Sequence, residues 1–367
     1  MNESRATRYQ RSRRRAQAVG VACGGIWLTV LAFTPLGPAL ANWSRVETGP
    51  GVFRYTAGLL FYLTLVLASW EAVLFVALWA MSRADRREGR GMPAGERQPS
   101  PTAGLLLAVP GSFVLAGIVL AAAWVAGSWW WLASAVAIGA ALVAALHLTP
   151  GVLARAAGAV PVERPALVER LGVLARAIHV PIASIDVLPA ESTVTTSAIV
   201  AGAGEHRRVF IADGLMRDWS DEEISVVVAH ELAHHVHHDL WATLAVDVIV
   251  LAAGFWLAGL AWPLFRTAGA PAGGIDMLPL VALLASGVWL AAAPVRYALS
   301  RWQERRADRF ALELTGSAEA FQAAIRRLAA QHLAEDRPST LTRLFYHRHP
   351  TALERLKSAE AFRLTNN

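Results

Sequence analysis

Cysteine and lysine are nearly absent from this sequence of 367 residues, which contains a single cysteine, Cys23, and a single lysine, Lys357. One cysteine cannot form an intramolecular disulfide. Charged residues are also scarce, at 17%, whereas 55% of the residues are hydrophobic and the mean hydropathy is +0.39. This composition is unusual for a soluble enzyme and favours a protein of the membrane.

Six apolar stretches have the length, about 20 to 25 residues, that is needed to cross a bilayer. They lie near Val19–Leu40, Ala57–Met81, Gly104–Ala126, Trp129–Thr149, Trp241–Phe265 and Leu278–Leu299. We therefore predict a mainly α-helical integral membrane protein with about six transmembrane helices. The alternative, a soluble protein with buried helices, explains six such stretches poorly.

Arginines are distributed unevenly around these stretches. They cluster before the first stretch and in the loop 82–103, whereas the loops 41–56 and 266–277 contain few. The positive-inside rule then predicts that both termini and the region 150–240 are cytoplasmic. Because arginine so outnumbers lysine, as in GC-rich bacterial genomes, we expect a multi-pass protein of the bacterial inner membrane.

The N-terminus allows two further interpretations. A basic run, an apolar stretch and the segment Ala39-Leu-Ala41 also fit a cleavable signal peptide, but we favour an uncleaved anchor because the apolar stretch is long for a signal. The basic run could also indicate a nucleic-acid partner. It is short, lacks interleaved aromatic residues and adjoins an apolar stretch, so we predict none.

The most specific chemical signal is the motif His230-Glu231-Leu-Ala-His234. Two histidines four residues apart lie about 6 Å apart on one face of a helix, so both imidazoles can reach one metal ion. Glu231 lies beside that ion without having to bind it. This geometry is typical of zinc peptidases, in which zinc polarises the scissile carbonyl and the glutamate takes a proton from the attacking water.

The residues around the motif predict the helix that it requires. Ser220 and Glu223 form a capping box that starts a helix near Asp221, and no glycine or proline follows before Asp239. Three further histidines lie downstream, at His235, His237 and His238. We expect them to be solvated rather than to bind the metal, since even His237, on the correct face, is about 10 Å along the axis from the first ligand.

The predicted helix around residues 301–311 supplies the best third ligand. Glu304 and Asp308 are four residues apart on one face, so one carboxylate can bind zinc while the other accepts the outer N–H of a ligating histidine. The alternative is a solvated helix whose acids pair with its own arginines. The upstream motif favours Glu304 as the ligand.

His349 is a candidate for contact with the reacting group. Pro350 suits the first position of a helix, which would leave His349 at the helix N-terminus, where a donor could stabilise an oxyanion. A surface histidine without function fits the same residues equally well.

In this order, the motifs resemble those of the integral-membrane gluzincin peptidases, the family of the CAAX prenyl endopeptidases and the HtpX-type heat-shock proteases. The matching blocks are His-Glu-x-x-His at 230–234, Glu-x-x-Ala-Asp at 304–308, His349-Pro350 with Arg355, and the segment from Thr195 to Gly202. The resemblance covers roughly residues 160–360.

The resemblance implies one zinc ion per chain and a role for each matching residue. It implies that the metal ligands are His230, His234 and Glu304, that Glu231 is the general base, that Asp308 and Arg355 support the site, and that His349 binds substrate or transition state. It also implies that an edge strand, Thr193–Val200, pairs with an extended peptide through Thr195, Thr196, Ser197 and Ala198. Ser197 replaces the asparagine that is usual in the family, which puts one hydrogen bond to substrate in doubt.

We therefore expect a four-helix membrane region at 1–150 and a zincin-like α+β metallopeptidase domain at 151–367, interrupted by two transmembrane helices near 241–265 and 278–299. The predicted domain contains a helix and a small sheet, at Val162–Ile178, Ile182–Leu188, Thr193–Val200 and Val209–Ile211. Its expected partners are the lipid bilayer and a polypeptide substrate, most simply a membrane protein. Two alternatives remain: a sensor that cuts one dedicated cytoplasmic regulator, and a catalytically silent metal-binding scaffold.

Overall fold

A computed structural model of the chain describes residues 5–48, 52–87, 101–189, 197–265, 274–331, 335 and 338–366. Most of these residues are helical. The helices are α1 Arg5–Phe33, α2 Leu36–Thr48, α3 Val52–Arg87, α4 Pro101–Val125, α5 Trp130–Ala156, α6 Pro165–Ala177, α7 Asp213–Asp218, α8 Asp221–Val236, α9 Asp239–Phe265, α10 Leu278–Ala291, α11 Ala293–Thr315, α12 Ala318–Gln331, α13 Thr340–Tyr346 and α14 Ala352–Asn366. The strands are β1 Val160–Pro161, β2 Ser184–Leu188, β3 Ala198–Ala201 and β4 Arg208–Ala212.

The chain forms two compact units, one made of residues 1–139 and 247–292, the other of residues 140–246 and 293–367. In its described part, the first unit consists of helices joined by short turns and contains no strand. Its core contains Leu59, Tyr62, Val119, Ile138 and Phe255, all of them buried. Large apolar side chains are nevertheless exposed on these helices, among them Trp124, Ile249 and Leu264, as expected for helices that face lipid.

Four helices are long and apolar enough to cross a membrane: Arg14–Phe33, Thr56–Phe75, Gly127–Ala156 and Asp239–Phe265. A fifth span results if the bent pair Ile275–Ala291 and Ala293–Thr315 is counted as one. The stretch expected at 104–126 falls in α4, where the apolar part Val109–Val125 is shorter. The fold class is therefore confirmed, while the number of six spans stays a prediction.

Two of the predicted spans are interrupted by prolines. The stretch expected to reach Leu40 breaks between α1 and α2, since Pro35 disfavours helical geometry at Thr34. The stretch expected at 278–299 breaks after Ala291. Pro294 follows there, and the clash of a proline ring with the carbonyl four residues earlier kinks or breaks a helix; here the two helices meet at a bend of 50°.

The second unit contains a four-stranded mixed sheet in the order β1-β2-β4-β3. β2 and β4 pair in parallel, whereas β3 pairs with β4 in antiparallel orientation, with Ala198 opposite Ile211 and Val200 opposite Val209. β3 lies at the edge of the sheet formed by the described residues. The two-residue strand β1 was not predicted, and the predicted helix at 162–178 begins later, at Pro165.

Helix α8 is the centre of this unit because it packs on two sides. Ile224, Val228 and Leu232 belong to a core shared with the sheet and α6. Val226 and Ala229 belong to another core, shared with α11, α12 and α14. The remaining face of α8 carries the histidines of the metal motif.

Candidate metal centre

The helix that carries the motif begins where the sequence predicts. Ser220 Oγ accepts a hydrogen bond from the Glu223 N–H at 3.2 Å, and the Glu223 carboxylate accepts one from the Ser220 N–H at 2.9 Å. This reciprocal capping satisfies two N–H groups that a helix start leaves unpaired. The helix then runs unbroken to Val236 and presents His230 and His234 on one face, with ring centroids 5.0 Å apart.

Helix α11 brings a carboxylate to these two imidazoles. Glu304 Oε2 lies 3.3 Å from His230 Nε2, and Glu304 Oε1 lies 3.7 Å from His234 Nε2. The Glu304 side chain is only 9% exposed. Within the described ranges, these three residues are the only group of three that could hold a metal ion.

The dimensions of this cluster fit a zinc ion. Ligands at about 2.1 Å from a tetrahedral zinc are separated from one another by about 3.4 Å, and the separations of 3.3 and 3.7 Å bracket that distance. Two imidazole nitrogens and one carboxylate form a donor set of catalytic zinc sites, which leave a fourth position for water or substrate. The ligand positions that the sequence predicts are therefore brought together by the fold.

Each histidine has a carboxylate at its other ring nitrogen. Asp308 Oδ1 lies 3.0 Å from His230 Nδ1, and Asp239 Oδ2 lies 2.8 Å from His234 Nδ1. Such carboxylates fix the ring orientation and the tautomer that leaves Nε2 free to bind metal. The contact of Asp308 agrees with the sequence prediction, whereas Asp239 was missed, although an acidic residue at the start of the next helix, five positions after a ligand, was a usable signal.

Both outer carboxylates are themselves held by arginines. Arg355 Nε donates to Asp308 Oδ2 at 2.8 Å, and Arg355 Nη2 donates to Oδ1 of the same carboxylate. Arg306 donates to Asp239 Oδ1. Bidentate pairing of the Arg355 type fixes geometry as well as charge. The supporting role predicted for Arg355 thus has a specific contact.

The buried charges of the cluster shift its ionisation. Burial alone would lower the pKa of His230, but Asp308 and Glu304 outweigh it and raise the pKa to about 10. Burial opposes the charge of Glu304, yet the histidines His230 and His349 hold the pKa of that carboxyl well below its usual range. The cluster therefore concentrates negative charge around the imidazoles, an environment that also favours a divalent cation.

Glu231 lies in the same electrostatic neighbourhood but is not one of the three ligands. Burial raises its pKa above the ordinary glutamate value, while His230 and His234 act in the opposite direction. A carboxylate with a raised pKa is a stronger base than an exposed one. Its position in the motif and its environment both suit proton transfer.

His349 reaches the cluster from the segment before α14. His349 Nδ1 lies 2.9 Å from Glu304 Oε2, and the histidine side chain is 65% exposed. The prediction that Pro350 opens the helix was wrong. α14 begins at Ala352, and Thr351 caps it. Thr351 N–H donates to the Glu354 carboxylate at 3.0 Å, and Glu354 N–H donates to Thr351 Oγ1 at 3.2 Å.

The additional histidines at and just after the end of α8 do not form a solvated group, contrary to the expectation from the sequence. His235 is half-buried and lies within hydrogen-bond distance of both Val200 O and Arg207 Nε. The His237 ring packs edge-to-face against Phe310, with centroids 5.3 Å apart. His238 alone is exposed, and its φ of 56° marks the turn from α8 into α9.

Two of the predicted substrate-contacting residues, Thr195 and Thr196, lie outside the described residues. Ser197 accepts a hydrogen bond from Ala212 N at 2.9 Å through its carbonyl, and Ala198 is buried against the sheet core. The strand ends at Ala201, and the next residue, Gly202, has a φ of +99° and a position where a Cβ would lie 2.7 Å from Pro150 Cγ. Only glycine fits both restrictions.

A sequence profile described as peptidase family M48 matches residues 161–363. This range covers more than half of the chain. The chain belongs to peptidase family M48. The family resemblance expected from the motifs is thereby confirmed.

The M48 relatives include both named groups of the expected family. The chain is 30% identical over 207 residues to an uncharacterized metalloprotease, YhfN, of Bacillus subtilis, a match that covers 54% of this chain and 49% of YhfN. It is 28% identical over 170 residues to a protease HtpX homolog of Nostoc punctiforme, covering 46% and 58% of the two chains. It is 26% identical over 206 residues to a CAAX prenyl protease 1 homolog of Arabidopsis thaliana, covering 52% and 46%. The matches span about half of each relative.

The M48 fold also matches a solved structure. The crystal structure of S. mikatae Ste24p superposes with a TM-score of 0.72 at 18% sequence identity, covering 96% of this chain and 88% of that chain. At this identity the likeness establishes the fold alone.

Proposed function

We propose that this M48 protein is a zinc metalloendopeptidase that hydrolyses peptide bonds of membrane or membrane-proximal proteins at the cytoplasmic face of a bacterial inner membrane. The observation that carries the proposal is the convergence of His230, His234 and Glu304 beside Glu231. A protein that only binds metal has no use for a base at this position. Membership in a peptidase family supports the same conclusion.

In the proposed reaction, His230, His234 and Glu304 would hold one zinc ion, with Asp308 and Asp239 orienting the two imidazoles. When bound, zinc would supply Lewis-acid polarisation of the scissile carbonyl and lower the pKa of water. Glu231 takes a proton from the attacking water and delivers it to the leaving amine. His349, at the rim of the cluster, donates to the oxyanion of the tetrahedral intermediate.

The substrate would bind as an extended strand beside β3. This strand has a partner on one side only among the described residues, and helix α8 packs against it. Backbone pairing recognises a peptide with little regard to its side chains. Ser197 and Ala198, together with the neighbouring Thr195 and Thr196, are the residues that we assign to this contact.

The proposed cellular arrangement rests on composition and charge. Residues 1–150 would form a membrane region, and residues 151–367 a metallopeptidase domain interrupted by two spans. The candidate span α9 starts at Asp239, whose side chain contacts the ligand His234, which favours substrates close to the bilayer. The arginine-rich N-terminus and loop 82–103 support a cytoplasmic site.

Cleavage of an unfolded model protein by the full chain in detergent with added zinc tests the activity. We expect the wild type to cleave it and Glu231→Gln to be slower by about 100-fold or more, with unchanged zinc content. Glu222→Gln is the matched control, because Glu222 lies on the same helix with a 61% exposed side chain. Equal rates for wild type and Glu231→Gln would refute the mechanism.

The orientation has an independent test, because Lys357 is the single lysine and is exposed on α14. A membrane-impermeant amine reagent is applied to spheroplasts and to lysed membranes, and the Lys357 peptide is quantified by mass spectrometry. A cytoplasmic C-terminal part requires labelling only after lysis. Equal labelling in spheroplasts would place this part outside.

A further inference from the structure

His235 connects the metal-binding helix to the edge strand. Its Nε2 lies 3.2 Å from the Val200 carbonyl oxygen, and its Nδ1 accepts a hydrogen bond from Arg207 Nε at 3.1 Å. A carbonyl can only accept, so Nε2 carries the proton, and the Arg207 contact requires the same tautomer. Arg207 Nη1 also donates to Gly204 O at 2.8 Å, which fixes the guanidinium in place.

The register of β3 determines which backbone groups face its open side. Ala212 N donates to Ser197 O, so the backbone groups of residues 197, 199 and 201 point towards β4. Those of Ala198 and Val200 point away from β4. The approach of His235 to Val200 O agrees with this alternation, because the imidazole comes from the side that faces away from β4.

We infer that His235 ends the substrate-pairing edge of β3 at Val200, so that an extended peptide pairs with the backbone of Ala198 but not with the carbonyl of Val200. The inference rests on the proposed pairing of substrate with β3. It makes His235 a specificity-determining residue that limits the length of peptide backbone recognised. Affinity should therefore stop rising once a peptide reaches Val200.

Peptide binding measures this limit without hydrolysis. The full chain carrying Glu231→Gln is loaded with zinc in detergent, and the dissociation constants of labelled peptides are measured by fluorescence anisotropy. The peptides share one core and are lengthened by two residues at a time on either end. The same series is measured after adding His235→Leu, which removes the donor, or His235→Gln, whose amide N–H still reaches towards Val200 O.

We expect the longer peptides to bind roughly three- to tenfold more tightly to the His235→Leu protein, as one additional main-chain hydrogen bond predicts. The His235→Gln protein should keep the length dependence of its parent. N-methylation of the peptide residue opposite Val200 should abolish the gain. Zinc content, measured for each protein, should be unchanged.

An unchanged length dependence in the His235→Leu protein would overturn the inference, as would weaker binding at every length. If that variant loses zinc or unfolds early, His235→Asn repeats the test, since its amide can keep the Arg207 contact but is too short to reach Val200. Failure of the proposed function has a different signature. Peptides then bind with the expected length dependence, but a protein with an intact Glu231 cleaves none of them. Binding of no peptide by any of the proteins would overturn both.

Discussion

Asp239 Oδ2 lies 2.8 Å from Nδ1 of His234, so the first residue of α9 orients a ligand of the proposed metal. The carboxylate is buried and is shared with Arg306, and Gln303 Nε2 donates to the Asp239 carbonyl at 3.2 Å. The start of α9 and the metal centre are therefore one hydrogen-bonded assembly. By linkage, binding of the proposed zinc and formation of this helix start would stabilise each other by the same free energy.

Asp239→Asn should weaken zinc binding by about 10- to 100-fold, because it removes the charged partner of a ligating imidazole. Competition with a chromophoric chelator measures this. Asp186→Asn is the matched control, as Asp186 is also a buried aspartate but lies on β2 beside Ser184 and Arg208. Equal affinities of the two variants would show that the Asp239 contact does not support the metal.

Glu304→Ala should lower zinc affinity by more than about 100-fold, since loss of a ligand exceeds the effect of losing an outer partner. His237→Ala should leave it unchanged, because that ring packs against Phe310 rather than joining the cluster. Zinc content after dialysis against a weak chelator distinguishes the two variants. Similar zinc losses in both would contradict the assignment of ligands.

Arg355→Leu should destabilise the protein by about 3 to 5 kcal/mol, because it leaves the buried Asp308 without its counter-charge. Combining it with Asp308→Asn should recover part of that loss, giving a measurable coupling in a double-mutant cycle of unfolding midpoints. The control cycle uses Arg343→Leu and Glu354→Gln, a pair whose side chains are more than a third exposed. For this exposed control pair we expect a coupling free energy of about 0 to 1 kcal/mol. A coupling between Arg355 and Asp308 that is no larger than that of the control pair would refute the prediction.

Gly202→Ala should lower stability by about 1 to 2 kcal/mol, because alanine resists positive φ and its methyl group would collide with Pro150. Gly214→Ala on α7 is the control, since a Cβ there meets nothing within 4 Å. That change should be neutral or stabilising. Thermal unfolding in detergent compares them, and an equal midpoint for both would contradict the strain at Gly202.

Local signals in the sequence were sufficient to predict the positions of those candidate site residues that lie together on one helix. The capping box of Ser220 and Glu223, the spacing of His230 and His234, and the pairing of Glu304 with Asp308 on one face each depend on residues at most four apart. The strands expected at Ile182–Leu188 and Val209–Ile211 also correspond to β2 and β4, with ends that differ by at most two residues. These features depend on periods of helix and strand that the sequence shows directly.

Other contacts required the three-dimensional fold. The His235 contact joins residues 35 positions apart, and its polar surroundings in sequence favoured solvent. Asp239 reaches His234 only because the chain turns at His238 with a positive φ, a conformation uncommon for a residue with a side chain. The break before Pro294 was hidden within a continuous apolar run, whose length alone indicated an intact span.

The contact of His235 with Val200 also affects how the edge of β3 could pair with a strand from another copy of this protein. An unpaired strand edge is a template on which another chain can add a strand, which leads to aggregation. In the described part of the chain this edge is only four residues long, and one of its outward carbonyls is already bonded to His235. The bond to His235 therefore leaves one fewer outward carbonyl of β3 for a second copy of the chain to pair with.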